Sequence, residues 1–243
     1  MKIRLDQQLV QRGLAESREK AQRLILAGEV RVNDQVATKP GHEVADDAAI
    51  TVAQPERFVS RGGEKLEAAF KAFPLDVTGK ICLDIGASTG GFTDCLLQHG
   101  AARVYAVDVG RGQLHRRLHD DPRIVVMDGV NARYLRPGDL PAQPTVVTID
   151  AAFISLTLLL PAVKELLASG GEIVTLIKPQ FEAGRAEVGK GGVVRDERIR
   201  QQVIERVHLF GERTLGLQWC GLCESPLHGP AGNVEFLAYW KKP

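Results

Sequence analysis

The residues with the widest chemical reach in this sequence are two lysines and two carboxylates, Lys65, Asp150, Lys178 and Glu235. Lys178 follows the apolar run Ile173-Val174-Thr175-Leu176-Ile177, so a cation ends what reads as a buried strand. Such a place is costly unless the charge is paired or used. Lys65 adjoins the helical stripe Leu66, Ala69, Phe70 and Phe73, and Glu235 falls in the predicted last strand among Val234, Phe236 and Leu237. Singly, each reads as a surface charge or an ion pair. Together the four residue types can take up a proton, stabilise charge on an oxygen and hold both cations in place.

A second constellation is the turn Asp84-Ile85-Gly86-Ala87-Ser88-Thr89-Gly90-Gly91, which follows a predicted strand and opens a helix at Phe92. Small residues there let the backbone approach a ligand, and the first helical N–H groups point outward. Nicotinamide, flavin and S-adenosylmethionine proteins all use such a turn, so acid placement has to separate them. Asp84, inside the turn, suits a cationic amino group and has no evident role beside a pyrophosphate. Asp108 ends the next strand 24 residues on, where a ribose diol is held in either class. Asp128 ends the third strand and is placed to accept a hydrogen bond from an adenine amino group.

The elements that must carry these residues alternate. Strands are predicted at 81–85, 103–108, 124–128, 145–150, 172–178, 218–223 and 234–240, with helices at 64–73, 92–98, 155–168 and 197–213. That order predicts a mostly parallel sheet covered on both faces. The last two strands are joined by too short a loop for a crossover helix, and so form an antiparallel hairpin. Ahead of this region, residues 1–52 read as a small α+β unit and 53–60 as a linker containing Pro55, with the second unit at 61–243. In the small unit, Leu5, Leu9 and Val10 give a helix ending at Gly13, and Ser17 caps a second helix over 18–27 that Gly28 stops. Strands are expected at 30–32 and 49–52, with Asn33-Asp34 turning between them. Residues 1–39 hold eight Lys and Arg against five acids, and the excess centres on the second helix.

Three acids at successive strand ends beside this turn, with the reversed C-terminal hairpin, resemble the class I S-adenosylmethionine-dependent methyltransferases. Those are Rossmann-like domains with a seven-stranded sheet. The order Lys65, Asp150, Lys178, Glu235 resembles the tetrad of the FtsJ-like RNA 2′-O-methyltransferases. Arg4-Leu5-Asp6, Gly13, Ser17-Arg18, Ala21, Ile25, Gly28, Val30, Val32-Asn33 and residues 47–52 resemble the ribosomal protein S4-type RNA-binding domain. With the words Ser60-Arg61-Gly62-Gly63-Glu64-Lys65-Leu66, Asp150-Ala151-Ala152-Phe153-Ile154-Ser155-Leu156, Lys178-Pro179-Gln180-Phe181-Glu182 and Gly229-Pro230-Ala231-Gly232-Asn233-Val234-Glu235-Phe236, the chain resembles the TlyA family, historically labelled hemolysin A. It departs from that family at Ala152, where a serine is usual.

The resemblance implies transfer of a methyl group from S-adenosyl-L-methionine to a ribose 2′-hydroxyl, of cytidine in ribosomal RNA, with ribosomal subunits as partners. Gly86, Ala87, Ser88, Thr89, Gly90, Gly91 and Phe92, with Asp84, Asp108 and Asp128, would hold the cofactor. Arg4, Arg18, Lys20 and Arg23 would meet RNA phosphates. A lysine takes up the hydroxyl proton only where burial or a second cation favours its neutral form. Lys178 is expected in that role, with Lys65 stabilising the oxygen and Asp150 and Glu235 holding the lysines in register. No metal is required by this chemistry.

Composition narrows the alternatives. The 243 residues hold 31 Lys and Arg against 30 Asp and Glu, so there is no uniformly basic coat. The longest apolar stretch, 156–163, contains Thr157 and Pro161 and is far short of a membrane span. With no signal-like N-terminus and four cysteines, a reduced cytoplasmic protein is expected. Trp219-Cys220-Gly221-Leu222-Cys223 falls in a predicted strand, whereas thioredoxin-type redox chemistry needs the first cysteine at a helix N-terminus. Gly184–Gly191 lacks the final Ser or Thr of a P-loop and reads as a mobile loop over the active site. His115, Arg116, Arg117, His119 and Arg123 read as a basic surface. The competing readings are a non-catalytic RNA-binding protein with a vestigial methyltransferase fold and a membrane-active hemolysin.

Overall fold

The structure is a computed structural model that describes residues 2–53 and 57–243. It divides into two units, Met1–Arg57 and Phe58–Pro243. Residues 54–56 of the expected linker, Pro55 among them, lie outside the described residues.

In the first unit, β1 (Lys2–Arg4) leads into α1 (Leu5–Gln11) and then α2 (Arg18–Leu26). Leu5, Leu9, Ala21 and Ile25 meet in its core, all fully buried. The Ser17 side chain caps α2 by accepting the Lys20 N–H at 3.2 Å. Next come β2 (Val30–Val32), β3 (Gln35–Val36), β4 (Glu43–Ala45) and β5 (Ile50–Val52). Asn33 and Asp34 both have positive φ and turn β2 into β3, not directly into the strand at 50–52 as the sequence suggested. β5 pairs with the other side of β2, and β1 pairs with β4.

The second unit opens on Phe58, buried and packed over the backbone of Gly63. The Val59 N–H is fixed to Asp94 at 2.8 Å. Residues 58–60, expected in the linker, therefore belong to this unit. Along the chain follow α3 (Gly62–Ala72), β6 (Ile81–Ile85), α4 (Gly91–Gln98), β7 (Arg103–Asp108), α5 (Arg116–His119), β8 (Ile124–Asp128) and β9 (Val146–Ile149). The remainder are α6 (Leu156–Leu166), β10 (Glu172–Ile177), α7 (Pro179–Glu182), α8 (Glu197–Leu209), β11 (Gln218–Glu224) and β12 (Phe236–Lys241). The strand order is β11-β12-β10-β9-β6-β7-β8, parallel except for the two antiparallel pairings of β12. The seven-stranded α/β sheet and its closing hairpin are those the sequence predicts.

Period-two alternation sends side chains to opposite faces of this sheet. Leu83, Val147 and Ile173 pack with α6 and α8, while Cys82, Val146 and Val174 pack with α3 and α4. The order reverses at β6, which pairs with β7 on one side and β9 on the other. Ligands of open α/β sheets bind beyond the strand ends at such a reversal. The glycine turn leaves β6 there, and Asp150 follows β9.

Candidate active site

The turn is shaped by backbone that only glycine tolerates cheaply. Gly86 has φ +81°, and a Cβ on it would stand 2.6 Å from the Asp150 carbonyl oxygen. Gly90, at φ +92°, closes the turn where Leu114 and Leu118 press on it. The two strand ends therefore meet without a side chain between them, and two adjoining cavities open above.

The first cavity, about 340 Å³, holds all four tetrad residues. Lys65 Nζ lies 2.6 Å from Glu235 Oε2, with the lysine 12% and the glutamate 1% exposed. Lys178 Nζ lies 2.6 Å from Asp150 Oδ1, and both side chains are mostly buried. Glu235 precedes β12 by one residue, so it stands at the strand end rather than within the strand as predicted. Lys178 likewise sits just past β10. The residues after it explain their word: α7 brings Glu182 back to α6, where it accepts the Leu156 N–H at 2.7 Å and the Ser155 hydroxyl at 2.6 Å. Burial raises the Glu182 pKa.

The second cavity, about 540 Å³, is walled by Val109, Ala132, Ile154 and Leu159 and bears the Asp108 carboxylate. Asp108 Oδ2 accepts the Ser88 N–H at 2.9 Å and Oδ1 accepts the Gly110 N–H at 2.7 Å. Each oxygen keeps acceptor capacity for a diol. An apolar slot with one such carboxylate fits an adenosine, so the donor set suits S-adenosylmethionine on this side. The cavities share Gly86, Ser88, Asp150 and Ala152, which places the slot beside the lysine pairs. Thr89, Gly91 and Phe92 border the first cavity along with Ala87.

Several expected contacts fall elsewhere. Asp84 is wholly buried and reaches neither cavity; it accepts the Thr93 hydroxyl at 2.6 Å and the Thr148 hydroxyl at 2.9 Å. Burial pushes its pKa up to about 7 against those two hydrogen bonds. It therefore braces the turn from below, in place of meeting a cationic amino group. Asp128 accepts the Gly112 N–H at 2.7 Å and borders neither cavity, and Gly90 supports the turn from behind. None of the residues 184–194 lines either cavity. That loop is tied down by Asn233, which accepts the Val194 N–H and donates to the Gly192 carbonyl, both at 2.9 Å. Of the basic run, His115 caps α5 through the Arg117 N–H. Cys220 and Cys223 lie within β11, and burial raises both thiols.

In the first unit, Asp6 is fully buried and gathers two of the expected RNA contacts. Its Oδ2 lies 2.9 Å from Arg4 Nη2 and 3.0 Å from Arg18 Nε, with Gln22 donating as a third partner. Arg23 is exposed and Lys20 half-buried on α2.

Three groups at the active-site cavity carry no role in the sequence reading: Arg61, His228 and the ring of Phe153. Arg61 and His228 line the lysine cavity. Phe153 borders the second cavity, 90% exposed at φ +63°, its ring tilted 52° against that of Phe181 with centroids 5.1 Å apart. Nothing in a single sequence marks a loop aromatic as exposed.

Residues 58–242 match the FtsJ-like methyltransferase family and residues 3–50 match the S4 domain. YqxC of Bacillus subtilis is 50% identical over 244 residues, which span 100% of this chain and 86% of that protein. TlyA of Mycobacterium tuberculosis, a 16S/23S rRNA (cytidine-2′-O)-methyltransferase, is 47% identical over 98% of this chain and 89% of its own. A solved structure from Streptococcus thermophilus that bears the name hemolysin superposes with a TM-score of 0.76 at 45% identity, covering 99% of this chain and 88% of that one. Among the described residues, no helix is long and apolar enough to cross a membrane. An S4 domain followed by an FtsJ-like methyltransferase domain, with this identity along nearly the whole length, makes the chain a member of the TlyA, or hemolysin A, family of FtsJ-like methyltransferases.

Proposed function

We propose that this protein transfers a methyl group from S-adenosyl-L-methionine to the ribose 2′-hydroxyl of a cytidine in ribosomal RNA. The observation that carries the reading is the pair of lysine–carboxylate contacts, both at 2.6 Å, in one cavity that adjoins an adenosine-sized slot. The cofactor supplies an electrophilic methyl on a sulfonium. Asp108 holds the ribose diol, and the turn from Gly86 to Phe92 seats the methionine side. Lys178 takes the proton from the 2′-oxygen as the oxygen–methyl bond forms and the sulfur–methyl bond breaks. Asp150, in contact with Lys178, stabilises the ammonium so formed. Lys65, held by Glu235, stabilises charge developing on the oxygen. Because the reaction is an in-line displacement, much of the acceleration rests on holding the hydroxyl in place.

The first unit grips the RNA through Arg4, Arg18, Lys20 and Arg23, and its partners are ribosomal subunits. That substrate places the protein in the cytoplasm. The test is incubation with tritiated S-adenosylmethionine and separate unmodified small and large subunits, beside Lys178→Ala. Label on one RNA that disappears in the variant is expected. No label on either subunit, with cofactor binding intact, would overturn the assignment of substrate.

A further inference from the structure

The lysine cavity is built for more than a hydroxyl. Its lining brings together Arg61, Lys65 and Lys178 with two carboxylates, Asp150 and Glu235. Both lysines are spoken for by those carboxylates at 2.6 Å. Arg61 and His228 are exposed at its edge, and among the described residues neither side chain makes a hydrogen bond or ion pair. The backbone beneath them is well held. Arg61 stands at the start of α3, whose Lys65 is fixed to Glu235. His228 rides a loop closed by the Ser225 hydroxyl on the Leu227 carbonyl at 2.8 Å and by the Gly229 N–H on the Asn233 carbonyl at 2.9 Å. Two unpartnered donors on braced backbone, at the rim of a cavity whose lysines already have carboxylate partners, match an anion.

The chemistry of the proposed substrate supplies one. A ribose 2′-hydroxyl is vicinal to the 3′-oxygen that carries the next phosphodiester. Any pose that puts the hydroxyl between Lys65 and Lys178 must therefore bring that phosphate to the cavity edge. Resting on the reading of this site as a 2′-O-methyltransferase, we propose that Arg61 and His228 form a clamp for the 3′-phosphodiester of the target nucleotide. Guanidinium and imidazole bind such oxygens by charge-assisted hydrogen bonds. The clamp fixes the sugar's position along its own backbone, and it favours a polynucleotide over a free nucleoside.

The experiment measures binding of ribosomal subunits to wild type, Arg61→Ala, His228→Ala and the double variant across a salt series, with S-adenosylhomocysteine present. Methyl-transfer kinetics are recorded on the same proteins. In the double variant, binding and KM are expected to worsen about tenfold or more, with the loss concentrated in KM rather than kcat. The slope of log affinity against log salt should fall by about one. Arg61→Lys should recover part of the loss, whereas Arg213→Ala, an exposed charge outside the cavity, should change nothing. Cofactor binding by the free variants reports that the fold is intact. Unchanged affinity and salt slope in the double variant, or a loss confined to kcat, would overturn the clamp. Wild type that neither binds nor labels subunits is a separate outcome; it overturns the assignment of ribosomal RNA as substrate, and the clamp that rests on it.

Discussion

Lys65 and Glu235, 170 positions apart in the chain, close to 2.6 Å with the carboxylate 1% exposed. The contact joins the helix before the first strand of the sheet to the residue that leads into its last strand. It thus ties the two ends of the methyltransferase unit together at the point where the chemistry is proposed.

Breaking that pair on one side should cost more than deleting it. Glu235→Leu leaves a mostly buried ammonium alone, at about 3 kcal/mol. Lys65→Met with Glu235→Leu should recover most of that stability while methyl transfer stays lost in both. Denaturant unfolding of the two single variants and the double variant, read beside tritium incorporation, checks this. Equal stability of Glu235→Leu and wild type would mean the pair is no tether.

How far the site was legible in the sequence depended on what each residue's signal rests on. The helices and strands of the second unit announce themselves through alternation and apolar stripes, and the switch point follows from their order. The tetrad is legible only through its order and the words around it, which resemble the FtsJ-like enzymes; singly, each member reads as a surface charge or an ion pair. Asp84 misled because a strand-terminal acid looks the same whether it faces a cavity or two hydroxyls, and Thr148 lies 64 residues away. Asp128 accepts a backbone N–H from a neighbouring loop and lines neither cavity, a placement that the strand pattern does not show. β1, β3 and β4 have two or three residues each, too few for a period to show. Asn233 turns the glycine-rich segment 184–194 from an expected lid into a tethered loop through contacts about 40 residues apart.

Asp6 organises the first unit's basic surface from beneath. Hydrogen bonds from Arg4, then Gln22 and Arg18, hold its carboxyl well below the usual carboxylate range, against the opposing effect of burial. A folded pKa below the unfolded one adds stability above about pH 4, and that stability is lost as pH falls. Asp6→Asn should therefore loosen residues 2–53 at neutral pH and flatten their acid sensitivity, measured by hydrogen exchange. Because Arg4 and Arg18 are 41% and 51% exposed, both retain donors for phosphate. The variant should weaken RNA binding severalfold without touching either arginine.

Phe153 is held in a backbone region that costs a non-glycine residue on the order of 1 kcal/mol, and its ring is almost wholly solvated. A ring that served only to wall the second cavity would be covered by its neighbours; this one projects outward. Such a platform suits stacking of a nucleobase, about 1–3 kcal/mol per base. Phe153→Ala should leave thermal stability unchanged or slightly raised by Phe153→Gly, and should lower kcat/KM for RNA about tenfold or more. Cofactor affinity should hold. A variant that loses cofactor affinity and keeps its KM for RNA would reassign the ring to the adenosine side.

Asp84 gives the second unit a pH dependence of definite sign. Burial, opposed by the Thr93 and Thr148 hydroxyls and aided by the nearby Asp150 charge, pushes its pKa up to about 7. Unfolded, it titrates near 4. Between those values the folded protein holds a proton that the unfolded chain has released, so stability falls as pH rises. The loss is present from about pH 4 upward and complete once the folded carboxyl has ionised above about pH 7. Within that window the slope from this group reaches at most about 1.4 kcal/mol per pH unit. Asp84→Asn keeps the size of the side chain and one acceptor, but removes the titration. Urea midpoints at pH 5, 6, 7 and 8 should fall more steeply for wild type than for the variant. Parallel curves would show that the carboxyl beneath the turn is not the group that titrates.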